Sequence, residues 1–510
     1  MNINNRLIAK NTMALYVRMF VLMAVNLYVS RVVLNLLGVE DFGIYNVVGS
    51  FVLMFSIISR SLTSAVQRFL NFYLGKGNQA ELRRVFATSL MVQILISVLI
   101  VVVVEVVGLW YLFNKMNLPA DRVWAAVWVF QASLLAFVIN LLNVPYNAAI
   151  IAHERMSAFA VVSLVEAALR LAAVYALYVT PVDKLVTYSV LIALVTLITR
   201  AIYVVYCHSK FSECKFKLLY DKKLFKEMGA FAGWNFLENA AWVLNNQGIM
   251  VLINAFFNVV VNAAQGIAYQ VYNAMKQFVD SFMSAMKPQI TKTYAAQDYE
   301  ASYGLACKAS RLSCFLLWLL ALPILLETDE LMLLWLKNVP EYTVEFVRWL
   351  IATILAIVVS EPLLTLVLAS GKIRACQLTS SLVQSGAFFG AALAFWMGAS
   401  PLVFYVLFLL VFIVLVFVRL YFAHTTAGFP VGPFLSGVLV RVLVVMLISA
   451  IVPLAIHLAC PQSFLRTVLV TATTLFSSGI TFYLFGFEQN EKNYLENCVK
   501  NFAGKFLKKS

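Results

Sequence analysis

Residues 47–69 read VVGSFVLMFSIISRSLTSAVQRF. The run is long and apolar enough to cross a bilayer, yet Arg60 stands in its middle and Arg68 near its end. A charge at bilayer depth costs several kcal/mol, roughly 2.5–3.5 on insertion scales, so it faces a bundle interior or a water-filled cavity rather than lipid. The i±3 and i±4 neighbours of Arg60 are Ser56, Ile57, Thr63 and Ser64, which supply no acid. Ser56, Ser59, Arg60, Thr63, Ser64 and Gln67 make one hydroxyl-rich helix face, as expected of a span lining a hydrated lumen.

The rest of the chain has the same character. Of 510 residues, 62% are hydrophobic and 12% charged, and mean hydropathy is +0.87. A soluble domain carries about 25% charged residues, so this is a polytopic membrane protein. Fourteen spans are expected: 12–37, 44–72, 84–113, 122–150, 157–179, 185–207, 229–256, 261–287, 303–326, 343–369, 375–397, 401–423, 434–458 and 464–485. The first run is too long for a signal-peptide core and lacks a small-residue cleavage site. Alternate loops are basic: Lys76/Arg83/Arg84, Arg155, 210–226, Lys287/Lys292, Lys372/Arg374 and the tail. The intervening loops 38–43, 180–184 and 459–463 are short and poor in Lys and Arg, although Lys115, Lys184 and Lys337 break the pattern. An even number of spans with both termini cytoplasmic follows. The net charge of +14 then reflects cytoplasmic loops and a tail lying on anionic lipid, not a nucleic-acid surface.

An internal repeat runs through the chain. NVPYNAAIIAHER (143–155) and SEPLLTLVLASGK (360–372) align Pro145 with Pro362 and Arg155 with Lys372, 217 residues apart. Asn35/Asn254 and Arg68/Lys287 align 219 apart. Six spans separate equivalent points, so the halves are parallel repeats related by an axis along the membrane normal. The fold expected is all-α: two pseudo-symmetric six-helix bundles, 1–226 with its basic linker and 227–424, followed by 425–510 with two further spans and a basic tail. The two prolines are either packing kinks or hinges.

Chemistry is sought among intramembrane charges and amides. Glu166/Arg170 and Lys276/Asp280 stand four apart, so each pair neutralises itself on one helix face. Glu361 lies in the tenth span, Arg18 and Arg31 toward the ends of the first, Glu105 in the third and Glu238 in the seventh. The segments 235–248 and 262–287 are dense in amides and tyrosines, including Asn239, Gln270 and Asn273, and suit either a sugar-sized polar ligand or interhelical hydrogen bonds. The cavity candidates are Arg18, Arg31, Arg60, Arg170, Lys276, Asn239, Gln270 and Asn273. The ion-coupling candidates are Glu166, Asp280 and Glu361. The seven cysteines form no CxxC and the four histidines are scattered, so no metal site is expected. No GxxxxGK[ST] is present, which excludes a P-loop nucleotide site. Glu40-Asp41 stands in a six-residue turn, too short for the acidic outer domain of a polytopic glycosyltransferase or polymerase.

LLGVEDFGIYNVVGSF (36–51), the polar end of the second span and LGKGNQAELRR (74–84) resemble the polysaccharide-transporter branch of the multidrug/oligosaccharidyl-lipid/polysaccharide exporter superfamily, which includes O-antigen-type flippases. The six-plus-six repeat with two extra spans agrees with that branch over essentially the whole chain. The resemblance implies a non-enzymatic flippase of the bacterial inner membrane, without cofactors, serving polysaccharide or lipopolysaccharide biosynthesis. Its cargo would be a polyprenyl-pyrophosphate-linked oligosaccharide. Its partners would be membrane lipids, Na⁺ or H⁺ as driving ion, and the polymerase machinery that consumes the product. Arg18, Arg31 and Arg60 match the family's habit of arginines in the first helices. The alternative on the same scaffold is a multidrug/cation antiporter, against which the excess of arginine over acid in the first two spans argues.

Overall fold

The computed structural model describes residues 5–489 except 54, 115–120, 216–220, 258 and 337–338, together with 491–493 and 496 of the tail. The side chains of Arg31, Glu40 and Arg60 lie outside the described residues. The described residues form helices and no strand. In chain order these are α1 (Asn5–Leu53), α2 (Ser56–Gly75), α3 (Gln79–Asn114), α4 (Val123–Ala152), α5 (Met156–Ala176), α6 (Lys184–Lys210), α7 (Lys222–Val243), α8 (Ile249–Phe256) and α9 (Val259–Ala295). They continue with α10 (Tyr299–Leu326), α11 (Thr328–Leu336), α12 (Thr343–Ser370), α13 (Arg374–Trp396), α14 (Leu402–Ala427), α15 (Val431–Phe434), α16 (Arg441–Ala459) and α17 (Phe464–Thr481). Among the described residues ten helical stretches are long and apolar enough to cross a membrane. The others include α2, α7 and α9, the least apolar of the long helices. All fourteen expected spans fall on helix, so the chain is a multi-pass all-α membrane protein.

Gly38 separates the first two spans inside α1. Its φ of 79° and ψ of 171° belong to a region open essentially to glycine alone. Side-chain caps start other helices: Asn78 accepts from the Glu81 N–H, Asp183 from Val186, Asp298 from Ala301 and Ser463 from Arg466. At the end of α14 the Gly428 N–H bonds to His424 and the Phe429 N–H to the Ala423 carbonyl, with Gly428 left-handed at φ 72°.

By packing, the chain forms two units: Met1–Trp242 with Ser281–Ser302 and Thr365–Ser381, and Val243–Asp280 with Tyr303–Leu364 and Leu382–Ser510. In the first, α4 is the hub, packing against α1, α2, α3, α5 and α6. A cluster of Val29, Val32, Val33, Val174, Leu177 and Tyr188 seals α1 to α5 and α6. In the second, an aromatic ladder joins α12 to α14. Phe346 stacks on Tyr405 at 4.1 Å, and Phe404, Phe408 and Phe412 follow one another along α14. The sequence division at 226 and 424 describes the repeat and remains our proposal for how the chain arose.

The repeat is written into the turns. Gly77 and Gln297 are both left-handed, at φ 67° and 64°, in the turns that follow α2 and α9. Glu154 and Gly371 are both left-handed, at φ 58° and 77°, in the turns that follow α4 and α12. The second pair keeps the 217-residue offset of Pro145 and Pro362, and α4 and α12 each run through their proline.

The last two spans and the segment after them are fastened along α10. After its C-terminal end, the fully buried Glu327 accepts from Arg466 Nη2 at 2.8 Å and meets His457 Nδ1 at 2.8 Å. Near its middle Arg311, 1% exposed, donates to Glu488 at 2.6 Å and to both carboxylate oxygens of Glu491 at 2.9 Å. Between them Trp318 Nε1 donates to Ser449 Oγ of α16 at 2.9 Å. Burial alone raises the pKa of Glu327, but the His457 and Arg466 contacts outweigh it and hold the carboxyl below its ordinary value of 4.5. A depressed carboxyl contributes stability above its unfolded pKa, and that contribution is lost as pH falls through the folded value. Thermal stability in detergent is therefore expected to fall as pH drops below about 4.5, and Glu327→Gln should flatten that acid limb. At pH 7 the same substitution strands the half-bonded Arg466 and should destabilise by roughly 3–5 kcal/mol. A thermal melt series from pH 7 to pH 3 on both proteins reads both effects.

Candidate functional site

Each unit holds one intramembrane polar cluster. In the first, α1 lies against α5, which brings Arg18 to Ser163. Arg18 Nε donates to Ser163 Oγ at 2.8 Å, and its guanidinium sits 4.5 Å from the Phe159 ring centroid. Among the described residues Arg18 makes no ion pair. It is held by a neutral hydroxyl and an aromatic face, with the Glu166 carboxylate within electrostatic reach. One turn further along α5, Arg170 donates to Glu166 Oε1 through Nε at 3.1 Å and Nη2 at 2.6 Å. The Arg170 side chain is 40% exposed, so the pair faces outward from the packed core. Tyr45 and Tyr188, rings 4.9 Å apart, lie within electrostatic reach of Arg170.

In the second unit, Lys276 Nζ of α9 lies 2.5 Å from Asp280 Oδ1 and 3.8 Å from Glu361 Oε2 of α12. Arg419 of α14, 5% exposed, donates to the adjacent Ser360 hydroxyl at 3.0 Å. Two cations and two carboxylates from three helices thus share one region. Desolvating such groups costs several kcal/mol per ion unless they are matched. Among the described residues no group of three metal-ligating side chains occurs.

The candidates named from sequence divide accordingly. Glu166 with Arg170, and Lys276 with Asp280, are paired as their spacing required, and Glu361 joins the second pair across space. Asn239 spends its amide donors inside the fold, on Ser61 Oγ at 3.1 Å and on the Asn235 carbonyl at 2.9 Å. The neighbouring Asn235 takes Gln377 Nε2 at 2.7 Å, and Asn245, in a π-helical turn at Leu244–Gly248, donates to the Gln384 carbonyl at 2.8 Å. Much of the amide density of the seventh span is therefore interhelical hydrogen bonding. Gln270 and Asn273 are exposed on α9 and open to a ligand. Arg31 and Arg60 sit on α1 and α2, and their side chains lie outside the described residues. Glu105 is held by Gln131 Nε2 at 3.1 Å. Asp41, the outer-loop acid, accepts from Arg122 Nε at 2.8 Å, and Arg122 also reaches Asp183 at 2.6 Å. Asp41 is thus one arm of a structural clamp in which Arg122, at the start of α4, ties α1 to the start of α6.

Sequence reasoning passed over Arg419 and Ser163. Arg419 is the single charge in the very apolar 402–423 run, which was signal enough. Nothing in the sequence distinguished Ser163 from other membrane serines.

The sequence model of the family described as "Polysaccharide biosynthesis protein" matches residues 8–294. The comparison with curated proteins returns no match. Among solved structures, a MATE transporter in the bent conformation is similar with a TM-score of 0.69 at 13% identity, over 83% of this chain and 95% of that one. An outward-facing multidrug resistance MATE family transporter of the MOP superfamily gives 0.64 at 14% identity, over 86% and 96%. A MOP superfamily transporter from Pyrococcus furiosus Vc1 (DSM3638), described as having a binding pocket of reverse polarity that suggests a different function, gives 0.64 at 13%, over 83% and 95%. At these identities the likeness shows the fold, which is that of transporters. The family match spans more than half of the 510 residues and shows that the chain belongs to the polysaccharide biosynthesis protein family.

Proposed function

We propose that the protein flips a polyprenyl-pyrophosphate-linked oligosaccharide across the bacterial inner membrane by alternating access, with both termini in the cytoplasm. The observation that carries this reading is the charge inventory of the first two spans. They hold Arg18, Arg31, Arg60 and Arg68 and no Asp or Glu between residues 12–37 and 44–72. Arg18 is held by a hydroxyl and a ring rather than a carboxylate. Guanidinium forks match phosphate oxygens two at a time, and such bonds strengthen in a water-poor site. The Glu166–Arg170 pair of the first unit offers hydrogen bonds of the kind sugar hydroxyls take, and so, within the second unit, do the exposed Gln270 and Asn273. The polyprenyl tail stays in lipid throughout, so only the headgroup needs a hydrated path.

Energy would come from H⁺ or Na⁺ acting on Lys276, Asp280 and Glu361, assisted by removal of product into polymerisation. Alternating access needs a driving force, and the sequence carries no P-loop for nucleotide hydrolysis. A multidrug-exporting role would call for acids where this chain carries arginines.

Reconstituted into liposomes with a fluorescent polyprenyl-pyrophosphate oligosaccharide, the wild-type protein should move the lipid between leaflets. Arg18→Ala and Arg60→Ala should each slow this at least tenfold, and the lysine variants should recover only part of the rate because the bidentate fork is gone. Wild-type protein that moves no lipid-linked sugar would overturn the reading. For coupling, Glu361→Gln should lower gradient-driven transport at least tenfold and make it insensitive to an ionophore that collapses the gradient. Wild-type rates unaffected by the same ionophore would rule out ion drive.

A further inference from the structure

We propose that the left-handed turns at Glu154 and Gly371 are paired latches that close the basic, cytoplasmic end of the transport path, each fastened by side chains from the opposite repeat. The proposal rests on the transporter reading but not on the identity of the cargo.

The two turns occupy equivalent places, following the proline-containing helices α4 and α12 at the same offset. All the contacts involved lie within the first packing unit. At the second turn, Arg68 of α2 donates from Nε to the Leu368 carbonyl and from Nη2 to the Ala369 carbonyl, both at 3.1 Å. These are terminal carbonyls of α12, the negative end of its dipole, so the guanidinium serves as an external C-cap. Phe69, Phe72 and Phe231 hold it, with ring centroids at 4.7, 4.6 and 5.6 Å. At the first turn the direction reverses. Lys292 and Gln289 of α9 donate to the two carboxylate oxygens of Glu154, at 2.6 and 3.1 Å, and Asn11 donates to its carbonyl at 3.1 Å. Arg68 of the first repeat thus grips the turn of the second, and Lys292 and Gln289 of the second grip the turn of the first, where Asn11 of the first repeat adds a bond.

The residue types fit this exchange and little else. A left-handed φ is costly for a side chain such as glutamate and routine for glycine. Position 154 nonetheless carries Glu, and its carboxylate is the acceptor of the latch. Position 371 carries Gly, and a Cβ there would stand 2.6 Å from Arg68 Nη2. Where the latch needs a carboxylate the strain is accepted, and where it needs bare backbone glycine is used. The ends of α2 and α9 also meet in backbone contact: a Cβ on Gly75 would lie 2.4 Å from the Lys292 carbonyl oxygen. These contacts tie the ends of α2 and α9 to those of α12 and α4. The Glu154 and Lys292 side chains are 12% and 15% exposed. Water is close enough to receive both charges when the latch opens.

The test places a reporter cysteine at Ser64, one helical turn before Arg68 on α2, in a variant lacking the native cysteines, and measures its labelling by a membrane-impermeant maleimide from the basic side. In inside-out vesicles Glu154→Lys, Lys292→Glu and the milder Lys292→Gln should each raise the labelling rate at least fivefold. The double exchange Glu154→Lys/Lys292→Glu should bring it back to within twofold of the parent. Arg68→Gln and Gly371→Ala should raise it through the other latch. Labelling unchanged in Lys292→Gln and Arg68→Gln, in protein that remains monodisperse, overturns the proposal, as does a double exchange as open as the single variants. The readout involves no cargo, so a gate that behaves as expected in a protein that moves no lipid-linked sugar separates the two claims.

Discussion

An ionised side chain taken out of water has to be met by an opposite charge or by oriented dipoles, and the helix arrangement of this protein follows from how that demand is satisfied. Glu327 between α10 and α11 finds His457 on α16 and Arg466 on α17, and so selects those two helices as neighbours. Lys276 finds one carboxylate a turn away and a second on α12, and so brings α12 to α9. Arg18 takes a hydroxyl and an aromatic face on α5, with Glu166 of the same helix in electrostatic reach. Apolar packing fills the space between such contacts, but lipid is as apolar as leucine and does little to choose one helix partner over another.

The same chemistry recurs at different depths. Glu327 and Arg311 stand at 0% and 2% side-chain exposure, so removing the partners of either would leave a buried, uncompensated charge. Glu154 and Lys292, at 12% and 15%, lie nearer to solvent than those two groups.

What was legible in the sequence was what depends on neighbours along the chain. Twenty-residue apolar runs located the spans, and i,i+4 spacing located the Glu166–Arg170 and Lys276–Asp280 pairs. The repeat offset located the two turns, although nothing in the letters GKI and HER announced that both backbones turn left-handed. Contacts made across space were out of reach. Glu361 is 85 residues from Lys276 in sequence, and Arg68 is 300 from the carbonyl it caps. Amides were ambiguous for a related reason: Asn239 and Gln270 look alike in a polar run, and only the presence of Ser61 opposite the first makes it a tie between helices. Glu40 and Asp41 looked like a chemical pair, and Asp41 proved to be committed to Arg122.

The unlike residues at the two equivalent turns set different chemical demands. Position 154 is an acid met by a lysine, and position 371 is a glycine with an arginine overhead. A reversed charge at 154 would face Lys292 with a like charge, whereas at 371 any side chain at all would meet the Arg68 guanidinium. One turn is thus sensitive to sign and the other to size.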